Sequence, residues 1–295
     1  MLNKLGVRML NIFNRVQKLL SSEISQYVFI IGAQKAGTTT LFNLLDATPG
    51  FCGAIDKEVG FFIHDFFYDR GERWYLRKFS RCDQKEIKFE ATPEYLYYPD
   101  VPQKILSFNK QSKFIVVLRE PSARCYSAWN MFRHFNQHSA KHIYEGFVQY
   151  ANPPIKDAAK KLLFAEKFPT FQQAVLDDIE RYNAKSTDLE PSFVRRGIYS
   201  EQIENYLRYY SLSDFLFLEQ RELSQPDGVL KKISSFLDIE IDVLTMRKKI
   251  QSNRGKYDEI EESVSDAISF LKDFYRPYNE KLFKVIGINY DWNEK

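Results

Sequence analysis

The stretch "FIIGAQKAGTTTLF", residues Phe29 to Phe42, decides how the start of this chain folds. A short apolar run ends at a glycine and is followed by a lysine, a second glycine and three threonines. The apolar run predicts a buried β-strand, and the leucines after the threonines repeat at helical spacing. A strand, a glycine-rich turn and a helix in this order are the usual surroundings of a loop that binds phosphate groups.

The lysine of this loop stands in an unusual place. The phosphate loops of nucleotide hydrolases have the lysine directly after the second glycine, whereas Lys35 precedes Gly37 here. Backbone N–H groups, the positive end of the helix dipole and threonine hydroxyls can still hold an anion in this arrangement. An ordinary glycine turn with threonine caps is the alternative interpretation. The residues predicted to bind the anion are Lys35, Ala36, Gly37, Thr38, Thr39 and Thr40.

Apolar runs and helical patterns alternate along the rest of the chain. The stretches "EIKFEATPEYLYYP", "SKFIVVLREP" and "DFLFLEQREL" each predict a further short strand, the second of them over Lys113–Leu118. This alternation predicts an α/β fold in which a central parallel sheet is flanked by helices. We predict one such domain over residues 25–295, with a helical insertion over 136–191 and a final pair of helices broken near Pro277.

The amino-acid composition limits the classes of protein to which this chain can belong. The chain has 295 residues, 44% of them hydrophobic, which is enough for a sizeable core. Its net charge is only +3 without a basic tract, which argues against a nucleic-acid-binding protein. The three cysteines, Cys52, Cys82 and Cys125, are an odd number without C-x-x-C spacing. They predict free thiols rather than a disulfide framework or a zinc site, and a cytoplasmic location.

Residues 1–24 have the pattern of an amphipathic helix. Leu2, Leu5, Met9 and Ile12 begin an apolar series at helical spacing, and the basic residues lie off that series. We interpret the helix as one that packs on its own domain or on a second copy in a homodimer. Peripheral contact with an anionic membrane surface and disorder are the alternatives. We expect no transmembrane span, since no apolar stretch approaches ~18 residues, and no signal peptide.

A second anion site is predicted where the strand Lys113–Leu118 ends. A magnesium-dependent ATPase needs an acid at such a strand end, but this strand is followed by Arg119. Arginine cannot ligate Mg²⁺ and suits a phosphate that it binds through two N–H groups. Ser127, eight residues on, could donate to the same phosphate. The sequence therefore predicts two anion sites and no metal, which fits a nucleoside with phosphates at both ends.

Together these two loops resemble a known family. "GAQKAGTTTL" and "LREPSARCYSAW" resemble the 5′- and 3′-phosphate loops of sulfotransferases that use 3′-phosphoadenosine-5′-phosphosulfate (PAPS). Four further stretches are similar to the heparan-sulfate 3-O- and N-sulfotransferase branch. They are "KEVGFF" (57–62), "FEATPEYLY" (89–97), "RRGIYSEQIENYL" (195–207) and "FYRPYNEKLFKVIG" (274–287), which occur in the family order.

The resemblance implies a mechanism and roles for particular residues. A sulfuryl group passes directly from PAPS to a hydroxyl or amine, leaving 3′-phosphoadenosine-5′-phosphate (PAP), without a metal or a covalent enzyme intermediate. By its motif position Lys35 stabilises the departing phosphate, and Glu58 of "KEVGFF" is the catalytic base. By the same resemblance, Arg119 and Ser127 bind the 3′-phosphate. Tyr199 matches an aromatic position beside the nucleotide, with a core tyrosine as the alternative.

Several positions depart from the family pattern. Gly60 stands where the 3-O-sulfotransferases have a histidine, Ala91 where they have a lysine, and Met131 where the N-sulfotransferases have a histidine. A late loop over the nucleotide keeps its residue types in altered order, as Arg254, Gly255 and Lys256, without the two cysteines that staple it in Golgi enzymes. The departures suggest a cytoplasmic, bacterial-type enzyme with a different acceptor.

The acceptor is predicted only by class, as a small natural product or a carbohydrate. Aromatic and acidic stretches supply its candidate contacts, with core packing as the alternative for the aromatic ones, and the insertion over 136–191 is expected near them. The candidates are Phe62, His64, Asp65, Glu94, Tyr95 and His134. Two rival interpretations are an atypical phosphate-loop kinase and a non-catalytic nucleotide-binding scaffold.

Overall fold

Five parallel strands lie side by side in the order β2-β3-β1-β4-β5. The computed structural model describes residues 27–84, 86–241 and 262–293. The strands are β1 Tyr27–Gly32, β2 Phe51–Gly53, β3 Ile87–Ala91, β4 Lys113–Leu118 and β5 Phe215–Glu219. The helix predicted over 1–24 and the predicted nucleotide contacts Arg254, Gly255 and Lys256 lie outside the described residues.

The two central strands, β1 and β4, are almost entirely apolar, as expected for parallel strands covered on both faces. Every residue of β1 is buried, and so is all of β4 except its first residue. Phe29 of β1 pairs with Glu90 of β3 on one side and with Phe114 of β4 on the other. The predicted α/β fold with a central parallel sheet flanked by helices is confirmed.

Helices connect the strands, and several of them form a second hydrophobic cluster. The helices of the described ranges are α1 Thr38–Asp46, α2 Asp65–Tyr68, α3 Glu72–Leu76, α4 Val101–Phe108, α5 Pro121–His134, α6 Ala140–Gly146, α7 Pro153–Leu163, α8 Phe171–Asn183, α9 Tyr199–Leu207, α10 Pro226–Leu237 and α11 Glu262–Ile286. Trp129 of α5, Phe171 of α8 and Tyr275 of α11 belong to the second cluster. This cluster packs α8, which lies in the predicted insertion, onto α5.

The prediction of two late helices broken near Pro277 is wrong, because α11 runs unbroken through this proline. A proline inside a helix removes one backbone hydrogen bond and usually bends or ends the helix. Here Leu271 and Tyr275 are buried before Pro277, and Leu282 and Ile286 are buried after it. Packing on both sides therefore outweighs the local preference of the proline.

The prediction of three free thiols is also wrong. Cys52 of β2 and Cys82 form a disulfide with a Cα–Cα distance of 5.6 Å, and only Cys125 is a free, buried cysteine. The two partners are 30 residues apart in sequence, so that no short motif reveals them. The cysteine content consequently gives no support to a reducing compartment.

We expect the disulfide to stabilise the fold. Closing a loop of this length restricts the unfolded chain and contributes about 3–4 kcal/mol in the chain-entropy model. Urea unfolding with and without dithiothreitol should show that loss for the wild type upon reduction. The Cys52→Ser/Cys82→Ser double variant should show no response to the reductant. Three reactive thiols in the unfolded, unreduced wild-type protein would contradict the disulfide.

Candidate active site

The loops after β1, β2, β3 and β4 all leave the same edge of the sheet, because the strands are parallel. β2 and β3 lie on one side of β1, and β4 and β5 lie on the other. The direction of the chain across the sheet therefore changes at β1. Ligands of open parallel sheets bind outside the carboxyl ends of the strands at such a switch point. The loop that carries Lys35 begins at this point.

The loop after β1 has the backbone shape of an anion cradle. Gly37 precedes α1 in a left-handed conformation with φ 95°. A Cβ on Gly37 would lie 2.7 Å from Leu223 Cδ1, so that a side chain here would displace Leu223 and would also strain the left-handed backbone. Among the residues that the structure describes, no side chain caps the first turn of α1. The N–H groups of this turn thus lack a side-chain acceptor, and an anion can supply one.

The loop after β4 touches the loop after β1 directly. Arg119 Nη1 donates to the Lys35 carbonyl oxygen over 3.1 Å. The following residue, Glu120, caps α5 by accepting from Ser122 N at 2.9 Å and Ala123 N at 2.7 Å. Ser127 lies on the same helix and is buried. Two loops that the sequence places more than 80 residues apart therefore meet at one edge of the sheet.

Tyr199 occupies a core position. Its side chain is 1% exposed, and its hydroxyl donates to the Arg119 carbonyl oxygen over 3.0 Å. The burial favours the core alternative over direct contact of the ring with a nucleotide, which corrects the predicted role. Through this hydrogen bond Tyr199 instead holds the backbone of Arg119 in place.

Glu58, the predicted base, follows β2 and is tethered to the end of β3. Its backbone N–H donates to the Ala91 carbonyl oxygen over 3.1 Å, and its carboxylate pairs with Lys57 at 2.5 Å. The side chain is 42% exposed and thus accessible to a substrate. Glu58 and Lys35 both have left-handed backbones, with φ of 65° and 68°. Non-glycine residues with such strained backbones concentrate at functional sites.

Glu90, on β3, is a feature that the sequence reading missed. Its fully buried carboxyl group accepts from the hydroxyls of Tyr75 at 2.7 Å, Thr92 at 2.8 Å and Tyr95 at 3.0 Å. Burial raises the pKa of Glu90 to about 7, although the three hydrogen bonds act in the opposite direction. The single acid of the strand "IKFEA", between the apolar residues Phe89 and Ala91, is the local signal.

The structure corrects two of the predicted acceptor contacts. Phe62 and Tyr95 are completely buried and pack edge-to-face at 5.6 Å. Phe62 also packs on Phe29 of β1, and Tyr95 donates to Glu90. Neither side chain has surface to offer an acceptor, so that core packing, the alternative for these aromatic residues, applies to both.

The other predicted acceptor contacts lie closer to the surface. Glu94 accepts from Gln34 Nε2, in the loop after β1, over 3.0 Å, and burial and the nearby Glu58 raise its pKa. Burial lowers the pKa of His64 to about 4. The His64 ring lies beside Gly60, whose Cβ position would be 3.5 Å from His64 Cδ2. A neutral imidazole thus fills the space next to Gly60.

Asp65 and His134 are the remaining candidates. Asp65 is exposed, and its backbone N–H donates to Asn152 Oδ1 over 3.1 Å. This bond joins the segment after Glu58 to the predicted insertion. His134 is exposed at the end of α5, with its ring centroid 4.7 Å from that of His138.

Two features of the described residues concern metal binding and membrane insertion. Cys52, Cys82 and Glu86 form the single group of three potential metal ligands in the described part of the chain. Its two sulfur atoms are already joined to each other, so that they offer no thiolates. None of the described helices combines the length and the apolar character that a membrane crossing requires.

Comparison with known proteins agrees with this geometry. The model of the sulfotransferase domain family matches residues 25–270. The chain belongs to this family. It is an enzyme that transfers a sulfuryl group.

Relatives confirm the resemblance to the heparan-sulfate branch. Heparan sulfate glucosamine 3-O-sulfotransferase 6 of Mus musculus is 27% identical over 287 residues, which cover 90% of this chain and 72% of the relative. Heparan sulfate glucosamine 3-O-sulfotransferase 5 of Homo sapiens is 24% identical over 284 residues, covering 89% and 72%.

A solved structure supports the fold. The sulfotransferase from Alicyclobacillus acidocaldarius superposes with a TM-score of 0.63 at 20% identity, over 91% of this chain and 99% of that chain. At this identity the likeness concerns the fold alone.

The pKa of Glu90 predicts a pH-dependent stability. Because the pKa is raised from 4.5 to about 7 on folding, the folded state holds a proton that the unfolded state releases. Stability should therefore fall by about 3 kcal/mol as pH rises from 4.5 through 7. Glu90→Gln cannot ionise and should lack this loss.

The measurement is the difference in unfolding free energy between the two proteins, from urea titrations between pH 4.5 and 8. The other titrating groups largely cancel in this difference. A difference that stays constant over the range would show that the pKa of Glu90 is not raised.

Proposed function

We propose that this sulfotransferase takes the sulfuryl group from PAPS and passes it to a hydroxyl or amine of its acceptor, leaving PAP. The contact between Arg119 Nη1 and the Lys35 carbonyl oxygen supports this most strongly. It brings together two phosphate-binding sequences at one edge of the sheet. A nucleotide with a phosphate group at each end of its ribose needs two such sites side by side.

The described residues fit this donor. The 5′-phosphosulfate would lie on the first turn of α1, held by Lys35, by the N–H groups that follow it and by the threonine hydroxyls at 38, 39 and 40. The 3′-phosphate would be held by Arg119 and Ser127. Gly37 lets the backbone approach the ligand closely, because no side chain stands there. Ala36 is fully buried, so that only its backbone is available.

We assign the chemical steps to the two residues with left-handed backbones. PAPS supplies an activated sulfuryl group whose leaving group is the 5′-phosphate of PAP. Glu58 accepts the proton of the attacking hydroxyl or amine as the new bond to sulfur forms. The Lys35 ammonium stabilises the charge that develops on the departing phosphate oxygen. The transfer is in line and requires neither a metal nor a covalent bond to the enzyme.

The acceptor that we propose is a carbohydrate or a small natural product. The relatives named as heparan sulfate glucosamine sulfotransferases support a carbohydrate. Beside Glu58, however, the candidate contacts His64, Asp65 and Glu94 add no positive charge, and Ala91 is fully buried. Lys57 and Lys104 lie close by but are paired with Glu58 and Asp65, which favours an acceptor that is less densely anionic than heparan sulfate.

Gly37 offers a direct test of the donor site. Gly37→Ala places a Cβ against Leu223 in the cradle, and PAP affinity should fall by about 10-fold or more, which is about 1.4 kcal/mol. Gly50→Ala is the matched control, because Gly50 also has a left-handed φ, of 88°, but has no atom within 4 Å of the added Cβ.

Isothermal titration with PAP in EDTA measures both variants. Gly50→Ala should lose about 1 kcal/mol of stability through its backbone while binding PAP like the wild type. Stabilisation by magnesium-ATP but not by PAP would instead indicate a kinase.

The catalytic roles are tested by transfer of label from PAPS to a panel of sugars, phenols, amines and natural products. On the acceptor so found, Glu58→Gln should lower kcat by about 10²–10⁴-fold, and Lys35→Ala by about 10²–10³-fold. Glu58→Gln should keep wild-type affinity for PAP. Lys185→Ala is the control for Lys35, since Lys185 also has a left-handed backbone. Full activity of Glu58→Gln would refute the base assignment.

A further inference from the structure

Two hydrogen bonds from the end of β3 hold the backbone around Glu58. Glu58 N donates to the Ala91 carbonyl oxygen over 3.1 Å, and Gly60 N donates to Thr92 Oγ1 over 3.3 Å. One bond uses a backbone acceptor that any residue at position 91 could supply. The other depends on the hydroxyl of one particular side chain. Thr92 is thus the residue whose side chain, and not only its backbone, holds this loop.

The loop needs such support because its backbone is strained. Glu58 and Gly60 have φ of 65° and 66°, both in the left-handed region. For a residue with a Cβ this region costs roughly 1–2 kcal/mol. A conformation of this kind persists only where surrounding contacts hold it. Burial of Val59 and Phe61 anchors the neighbouring residues, and the Gly60 carbonyl oxygen accepts from Ile63 N and His64 N, whereas the Gly60 N–H is held by Thr92.

The Thr92 hydroxyl is itself held in one orientation. It donates to Glu90 Oε2 over 2.8 Å, and this leaves its lone pairs for the Gly60 N–H. Tyr75 and Tyr95 bind the other Glu90 oxygen at 2.7 and 3.0 Å and fix the carboxyl group in turn. Thr92 is 2% exposed and Glu90 is 1% exposed, so that water does not compete for these bonds.

We infer that Thr92 is a positioning residue for the reaction: with its hydroxyl oriented by Glu90, it holds the Gly60 amide and thereby sets the direction of the Glu58 carboxylate. The inference rests on the proposed role of Glu58 as the base. It also explains why a carboxyl group is buried at the end of β3, where an apolar residue would avoid the cost of desolvation. A base displaced by about 1 Å can lose roughly 100-fold in rate.

Three variants test this inference. Thr92→Val keeps the shape of the side chain and removes the hydroxyl, whereas Thr92→Ser keeps the hydroxyl. Thr48→Val is the matched control, because Thr48 is equally buried and its Oγ1 donates to the Leu44 carbonyl oxygen over 2.8 Å. It removes a buried threonine hydrogen bond elsewhere in the fold.

Two measurements apply to all variants. Hydrogen exchange reports the Gly60 amide, which should exchange about 10-fold faster in Thr92→Val. Transfer of label from PAPS to the acceptor identified with the panel above should show a kcat lowered by about 10-fold or more, with unchanged affinity for PAP. Thr92→Ser should restore both values, and Thr48→Val should leave both unchanged even if it lowers the melting temperature.

The outcomes separate this inference from the proposed function. Wild-type exchange at Gly60 in Thr92→Val overturns the inference, whatever the enzyme transfers. Faster exchange together with a wild-type kcat also overturns the inference, since the hydrogen bond from Gly60 N to Thr92 would then not affect catalysis. A wild-type protein that binds no PAP and transfers nothing from PAPS refutes the proposed function, while the exchange of Gly60 still decides whether Thr92 holds the loop.

Discussion

The hydrogen bond from Arg119 to the Lys35 carbonyl oxygen is the contact on which the proposed donor site depends. β1 and β4 are neighbours in the sheet, so that the loops at their carboxyl ends are close from the start. The bond holds the carbonyl of a lysine whose backbone is left-handed. Tyr199 supports Arg119 from the core side. Two basic residues that lie far apart in the sequence are thereby brought to the edge of the sheet where we propose that an anion binds.

A comparable constraint operates on the opposite side of β1. The end of β3 supplies both bonds that hold the loop of Glu58, and Gln34 bonds to Glu94 just beyond it. Both residues to which we assign chemical roles therefore have unfavourable backbones that tertiary contacts maintain. These strained backbones lower the local stability of the site. The apolar sheet and the disulfide must offset this loss for the fold as a whole.

Part of this structure could be predicted from local sequence patterns. The strand Lys113–Leu118 was predicted at its observed bounds, because a contiguous apolar run followed by charged residues and a proline is a local signal. β2 was missed, since its three residues are too few to show a period. Phe62 and Tyr95 were predicted as acceptor contacts but are buried, because aromatic residues are common both in pockets and in cores. The disulfide and the hydrogen-bond partners of Glu90 could not be predicted, since nothing in one short stretch shows what packs against it.

The sequence by itself determined the family, the α/β fold and the glycine-rich loop that we propose as an anion site, because their signals lie in residues that are adjacent along the chain. Only the tertiary structure decided that Cys52 meets Cys82, that α11 continues through Pro277, and that Tyr199 supports Arg119 from the core. The physical reason is the range of the interactions. Hydrophobic periodicity and glycine conformation act over a few residues, whereas burial, the disulfide and hydrogen bonding join side chains that lie 30 to 80 residues apart.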